Sequence, residues 1–288
     1  MLARMASYSL DDVRAVCKRR DAWWTVLLVD PLAVRLTRWL AARNRVTPDR
    51  ITVAAFALGI GAACCFLRGT PGWLVAGALL YHAGFVLDCC DGKIARLTGT
   101  GSPFGAWLDF MLDRVRDAAC AVALAYGLYG TTGDTAYLGM GCAILALDMV
   151  RYVNGPQIHK ARRKMRSRMR AAGLDAKVSA IEMRPPGFRL KGLDMPALYM
   201  RLRAALLRRR IRMHLVSGIE FQMAAFVVGP LTGLVLPIVA VAGALMVVFE
   251  LALVIRFCQA SRGYVAPPPE PVEPGSSPSG RTAVTTGV

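Results

Sequence analysis

The 288-residue sequence predicts an all-α integral membrane protein: six transmembrane helices, preceded by an amphipathic helix lying in the membrane interface. Three observations predict it. First, 55% hydrophobic residues and a mean hydropathy of +0.41 coexist with 36 Lys+Arg against 19 Asp+Glu, a net charge of +17. A soluble domain of this size seldom holds both, so the two must be segregated along the chain. Second, apolar stretches near ~20 residues alternate with short polar turns, the pattern of membrane-crossing helices. Third, the basic residues concentrate in one set of loops, which fixes an orientation. A secreted disulfide scaffold, a disordered chain and a simple soluble DNA-binding domain are excluded. The eight cysteines show no zinc-type spacing and read as small packing residues.

The first 22 residues are polar and charged and contain no apolar core of a signal peptide. Trp23 and Trp24 suit the headgroup belt. Pro31–Arg45 then carries Leu32, Leu36, Trp39 and Leu40 on one stripe, with Arg35, Arg38 and Arg43 between them. That spacing predicts a helix in the interface plane. Residues 1–45 are therefore read as a cytoplasmic and interfacial N-terminal segment.

The six spans run near Ile51–Leu67, Gly72–Leu87, Phe104–Gly130, Thr135–Val153, Leu215–Leu231 and Leu234–Phe257. Between Arg151 and Arg212 stand 18 Lys and Arg against three acids, Asp175, Glu182 and Asp194, which supplies +15 of the net charge. This basic loop, 154–213, is cytoplasmic by the positive-inside rule. Both termini and the Arg96–Ser102 turn then share its side, and the opposite loops hold one basic residue, Arg68. The protein is expected in the cell membrane, multi-pass, against anionic headgroups. Within the loop, Arg184-Pro185-Pro186-Gly187 separates two basic amphipathic helices, Pro156–Gly173 and Pro196–Met213. Residues 259–288 read as a disordered tail rich in Pro, Ser and Gly.

The chemistry is carried by the ends of the second and third spans. Asp88, Asp91 and Ala95 lie at i, i+3 and i+7, one stripe of a helix. Asp109 and Asp113 lie at i, i+4 on the next. The Thr98–Pro103 stretch between them is turn chemistry, so the two helices form a hairpin with four carboxylates converging near its cytoplasmic end. Carboxylates at membrane depth are costly and mark a functional site. Unpaired, four such charges cannot share a cavity. Hard oxygen ligands suit two Mg²⁺ ions, with Mn²⁺ able to substitute, and the metals could bind a pyrophosphate. Gly92 and Gly105 remove side chains where helices or a substrate approach, and Arg96 can clamp a phosphate.

Read together, Asp88-x2-Asp91-Gly92-x2-Ala95-Arg96-x8-Gly105-x3-Asp109-x3-Asp113 resembles the signature of the CDP-alcohol phosphotransferase family at every fixed position. Thr47-Pro48-Asp49-x-x-Thr52 is similar to the family's entry to its first span, with Asp49 where Asn is usual. The resemblance covers residues 46–258. It implies a six-helix membrane enzyme that transfers a phosphoalcohol group from a CDP-alcohol to an acceptor hydroxyl and releases CMP. Carried over by position, Asp88, Asp91 and Asp109 hold one metal, and Asp88, Asp109 and Asp113 the other. Asp113 is also the catalytic base, and Gly92, Arg96, Ser102 and Thr52 contact the CDP moiety.

The expected donor is CDP-diacylglycerol, the acceptor a small phosphorylated alcohol, and the setting phospholipid biosynthesis. One alternative reverses the lipid, so that a soluble CDP-alcohol donates its headgroup to a lipid hydroxyl. A remoter one is a divalent-cation transporter, against which no internal repeats are evident. No aromatic stacking pattern accompanies the arginines, so nucleic acid is not an expected partner. A homodimer stays open as an assembly.

Other polar residues have less definite readings. Asp117 is expected to pair with Arg114 or Arg116 at the helix surface. For Asp148 and Arg151, an ion pair and an acceptor contact are both open. Glu220 is a candidate to line the cavity, Glu250 to pair with Arg256 or another cation, and His82 to pack. Arg210, Arg212 and His214 flank the fifth span's cytoplasmic mouth, where they could bind a phosphorylated acceptor.

Overall fold

A computed structural model describes residues 8–43, 46–171, 173–174, 195–212 and 216–262. The Arg184–Gly187 break, His214 and the tail from residue 263 lie outside these residues. Among the described residues the regular structure is helical, and the one β-type pairing is an isolated bridge between Asp21 and Ile211. The helices are α1 (Leu10–Ala15), α2 (Asp30–Ala41), α3 (Pro48–Phe66), α4 (Pro71–Thr98), α5 (Pro103–Thr132) and α6 (Ala136–Ala171). There follow α7 (Met195–Arg208), α8 (Gly218–Met223), α9 (Gly229–Thr232) and α10 (Val235–Arg262). π-helical turns at Thr25–Val29 and Ala224–Val228 lead into α2 and join α8 to α9.

Proline at the first turn and an extended Thr or Ser before it start α3, α4 and α5. There the missing N–H costs nothing and φ is already helical. Gly99 and Gly133 end α4 and α5 in the left-handed conformation, with φ of 69° and 73°.

Among the described residues, four helices are long and apolar enough to cross a membrane: α3, α4, α6 and α10. The described residues are thus all-helical and consistent with multi-pass insertion. α5 is 30 residues long, but its first half carries Asp109, Asp113, Arg114, Arg116 and Asp117. The fifth expected span is a run from Gly218 to Thr232 interrupted by the π-helical turn. The fourth expected span and the basic helix after it are one helix, with Pro156 in its interior. At ~1.5 Å per residue its 36 residues reach about 54 Å, well beyond a ~30 Å hydrocarbon core. α10 likewise continues to Arg262, past the expected boundary at 258.

α4 and α5 both pack along α3, while α6 packs against α5 and α10, and α2 against α4. The pair bearing the motif is thus held by a third helix, which leaves room between its acidic ends. The core around them is aromatic: Phe226 lies 4.9 Å from the Tyr81 ring and 6.3 Å from Phe66, centroid to centroid. α2 covers most of the expected interfacial helix. It buries Ala33, Val34, Thr37 and Ala41, while Leu32 and Trp39 on the apolar stripe are half exposed and point away from the protein.

Candidate active site

The last turns of α4 and the first turns of α5 face one cavity of about 230 Å³. Asp88 and Asp91 from α4 and Asp109 from α5 each offer a carboxylate oxygen within 4.8 Å of the others. The i, i+3 spacing on α4 sets two of them on one stripe, and the left-handed Gly99 reverses the chain so that α5 supplies the third. Asp91 is buried and accepts a 2.5 Å hydrogen bond from the Thr52 hydroxyl of α3. Asp109 Oδ1 is buried and accepts no hydrogen bond.

Asp113 lines the same cavity but is not drawn into this trio. It forms a 2.7 Å ion pair with Arg116, one turn further along α5. Arg116 is 3% exposed and also holds Asp117 at 3.0 Å. Its stem lies against Gly59 of α3, where a Cβ would collide with it.

Gly92 and Arg96 line the cavity, and Arg96 Nε donates to the Val16 carbonyl at 2.8 Å, tying α4 to the N-terminal segment. The Ser102 hydroxyl instead accepts the Gly105 N–H at 2.9 Å as the N-cap of α5, outside the cavity lining. Gly105 has a separate reason to lack a side chain: a Cβ there would sit 2.7 Å from the Asp49 carboxylate.

Asp117 corrects its expected surface position. It is 3% exposed and the centre of a buried network. Tyr81 OH and Gln222 Nε2 donate to it at 2.8 Å, and Arg114 pairs with it at 2.8 Å. Arg114 also binds Asp148 at 2.6 Å and stacks over Tyr152, and Gln222 donates to Asp148 at 2.9 Å. The Asp113–Arg116 and Arg114–Asp117 pairs are visible in the sequence as i, i+3 neighbours of opposite charge. Tyr81 and Gln222 gave only the faint signal of a polar group in an apolar run.

A further buried pair joins Lys93 of α4 to Asp30 of α2 at 3.0 Å. Glu250 pairs with Arg151 at 3.0 Å and accepts from Asn154 at 2.8 Å, rather than meeting Arg256. Glu220 is bound by Ser217 at 2.5 Å and does not line the cavity, although Ile219 and Gln222 beside it do. Arg210 and Arg212 are engaged with the N-terminal segment. His82 packs edge-on to Trp24.

Six carboxylates here (88, 91, 109, 113, 117 and 148) meet two guanidiniums, Arg114 and Arg116. The carboxylates outnumber the guanidiniums paired with them, an excess of negative charge that a low-dielectric site does not tolerate. An all-oxygen donor set with an orphaned buried carboxylate oxygen fits hard divalent cations, Mg²⁺ or Mn²⁺.

Residues 45–173, which contain the trio, Asp113 and most of the network, match the family model of the CDP-alcohol phosphatidyltransferases. Over this stretch the chain is similar to the CDP-alcohol phosphatidyltransferases. The phosphatidylinositol phosphate synthase of Cutibacterium acnes is 33% identical over 131 residues, 45% of this chain and 58% of that protein. The enzyme of the same name from Corynebacterium glutamicum is 32% identical over 102 residues, 35% of this chain and 43% of that protein. The chain thus spans about half the length of the curated relatives it matches. A crystal structure of Mycobacterium tuberculosis phosphatidylinositol phosphate synthase with CDP-DAG bound covers 81% of this chain and 94% of its own, at 20% identity and a TM-score of 0.43. The acidic trio lies on the second and third helices of the matched stretch, α4 and α5, and its first helix, α3, supplies Thr52 and Gly59.

Proposed function

We propose that this chain is a metal-dependent transferase of phospholipid biosynthesis. It moves a phosphatidyl group from CDP-diacylglycerol to the hydroxyl of a small phosphorylated alcohol and releases CMP. The observation that carries this reading is the convergence of Asp88, Asp91 and Asp109 within 4.8 Å inside a stretch similar to the CDP-alcohol phosphatidyltransferases. Those three residues hold the first divalent cation. Asp88, Asp109 and Asp113 hold a second. The bound cations supply neutralisation of the pyrophosphate and of the departing CMP.

The protein's own groups do the rest. Thr52 fixes the rotamer of Asp91. Gly92 leaves room on α4 for the Arg96 guanidinium, whose Nη1 lies 3.2 Å from where a Cβ would stand, and Arg96, anchored by its Nε, has its remaining N–H groups for phosphate oxygens. Ser102 stands at the turn between the two helices as a weaker nucleotide contact. Asp113 accepts the proton of the acceptor hydroxyl, and Arg116 orients its carboxylate for that task. The six-span arrangement in the cell membrane, with the N-terminal helix in the interface and the cavity cytoplasmic, follows from the loop charges. The half-exposed Leu32 and Trp39 of α2 support the interfacial position.

The test is a CMP-release screen on purified protein with CDP-diacylglycerol and Mg²⁺. The acceptors are inositol 1-phosphate, first because of the names its relatives carry, then glycerol 3-phosphate, inositol and serine. Turnover with a phosphorylated acceptor is expected. Turnover with uncharged acceptors alone would reject the phosphorylated acceptor. Activity restricted to a soluble CDP-alcohol with diacylglycerol would reverse the direction of transfer.

A further inference from the structure

The basic segment after α7 folds back onto the N-terminus. The Asp21 N–H donates to the Arg210 carbonyl and the Arg212 N–H to the Asp21 carbonyl, both at 2.9 Å. The Arg210 guanidinium donates twice to the Lys18 carbonyl, at 3.1 and 2.9 Å, and meets the Asp30 carboxylate at 3.1 Å. Asp30 in turn binds Lys93, two residues from Asp91. Arg210, expected to face substrate, is therefore a strut that holds the backbone of Lys18 at the cavity, whereas Arg212 holds Asp21 through its backbone N–H, its guanidinium 4.0 Å from the Asp21 carboxylate.

Five cations line the cavity. Lys93 is bound by Asp30, Arg96 by a carbonyl, Arg114 by Asp117 and Asp148, and Arg116 by Asp113 and Asp117. Lys18 is different. It lines the cavity, and among the described residues its ammonium has no hydrogen-bond or ion-pair partner. It sits on a segment that precedes the matched stretch of residues 45–173.

We propose that Lys18 is a phosphate-binding residue of the substrate site, held in place by the clasp that residues 210–212 make on residues 18–21. The proposal rests on the phosphotransfer reading above and deepens it: the cation for the anionic substrate comes from the N-terminal segment. Lys18 is exposed at the cavity, its backbone is held by the clasp, and its ammonium has no internal ion pair to break before it meets an oxyanion.

Steady-state kinetics on the full-length protein in nanodiscs test it. Lys18→Met should raise the KM of one phosphate-bearing substrate about tenfold to a hundredfold, the worth of one charge-assisted hydrogen bond. The kcat should change far less, and Lys18→Arg should restore most of the loss. A rise in the acceptor's KM assigns Lys18 to the acceptor phosphate, and a rise in that of CDP-diacylglycerol assigns it to the diphosphate. Arg210→Ala, which keeps Lys18 but removes its strut, should give a smaller rise in the same KM. Unchanged KM values for both substrates, or a Lys18→Arg no better than Lys18→Met, overturns the proposal. Should the wild type transfer nothing, the reaction reading fails separately, and calorimetric titration of Mn²⁺-loaded protein with inorganic pyrophosphate decides the matter. Weaker binding by Lys18→Met upholds the proposal, and equal binding overturns it.

Discussion

Two acidic clusters meet along α5, one shared with α4, and they are built on opposite principles. Around Asp117 every charge has a partner: two arginines, Tyr81 and Gln222 converge on one carboxylate. Around Asp109 the carboxylates face one another, and one buried oxygen has no hydrogen bond. The first arrangement is what a low-dielectric interior demands of structure. The second is tolerable only when something external completes it. Asp113, between them, belongs partly to each: it lines the cavity but takes its ion pair from the structural side.

The sharpest way to break this contrast is to remove a member of the open cluster. Asp88→Ala should bring CMP release below detection and abolish Mn²⁺ binding measured by electron paramagnetic resonance, and excess EDTA should silence the wild type. Full turnover in EDTA would end the metal reading. Asp113→Asn should lower kcat by ~10²–10⁴-fold, the range of a positioned general base. Calorimetric binding of CDP-diacylglycerol in Mg²⁺ should largely survive. Retention of more than a tenth of the activity would remove Asp113 from proton transfer.

On the closed side the effect moves from rate to stability. Asp117→Ala takes one of two carboxylate partners from each of two buried guanidiniums and the acceptor from the buried Tyr81 hydroxyl, and should cost about 3–5 kcal/mol, read as a lower thermal midpoint in detergent. The Mn²⁺ affinity of the fraction that folds should stay near that of the wild type, and a large drop would mean that the clusters are not separable. The smallest effect is expected at Ser102→Ala. Loss of the α5 cap should cost ~1 kcal/mol, with little change in the KM for CDP-diacylglycerol. A clear KM increase would restore Ser102 to the nucleotide site.

The open cluster was legible because its spacing is local. Carboxylates at i, i+3 and i, i+4 on two consecutive helices define a face without knowledge of the fold. The expected hairpin missed how that face is held apart, since α3 separates the two helices and no periodicity reports a third helix. The closed cluster was half legible. Its i, i+3 ion pairs could be read, but their burial could not, because that depends on Tyr81 and Gln222 arriving from distant segments. The paired role of Arg210 was illegible for the same reason. A run of arginines reads as solvated surface until a carbonyl 192 residues away is seen to accept from it.

Arg210 is also the non-glycine residue with a positive φ among the described residues, at 63°. For an L-residue that conformation carries a penalty of roughly 1–2 kcal/mol. Part of what its three side-chain contacts gain is therefore offset within the same residue, and opening the clasp relieves that strain. The N-terminal flap should thus detach as a unit of low local stability while the helices beneath it remain folded. Amide hydrogens at Asp21 and Arg212 should exchange long before those in the middle of α4, so that the mouth of the cavity loosens while the helical core stays closed.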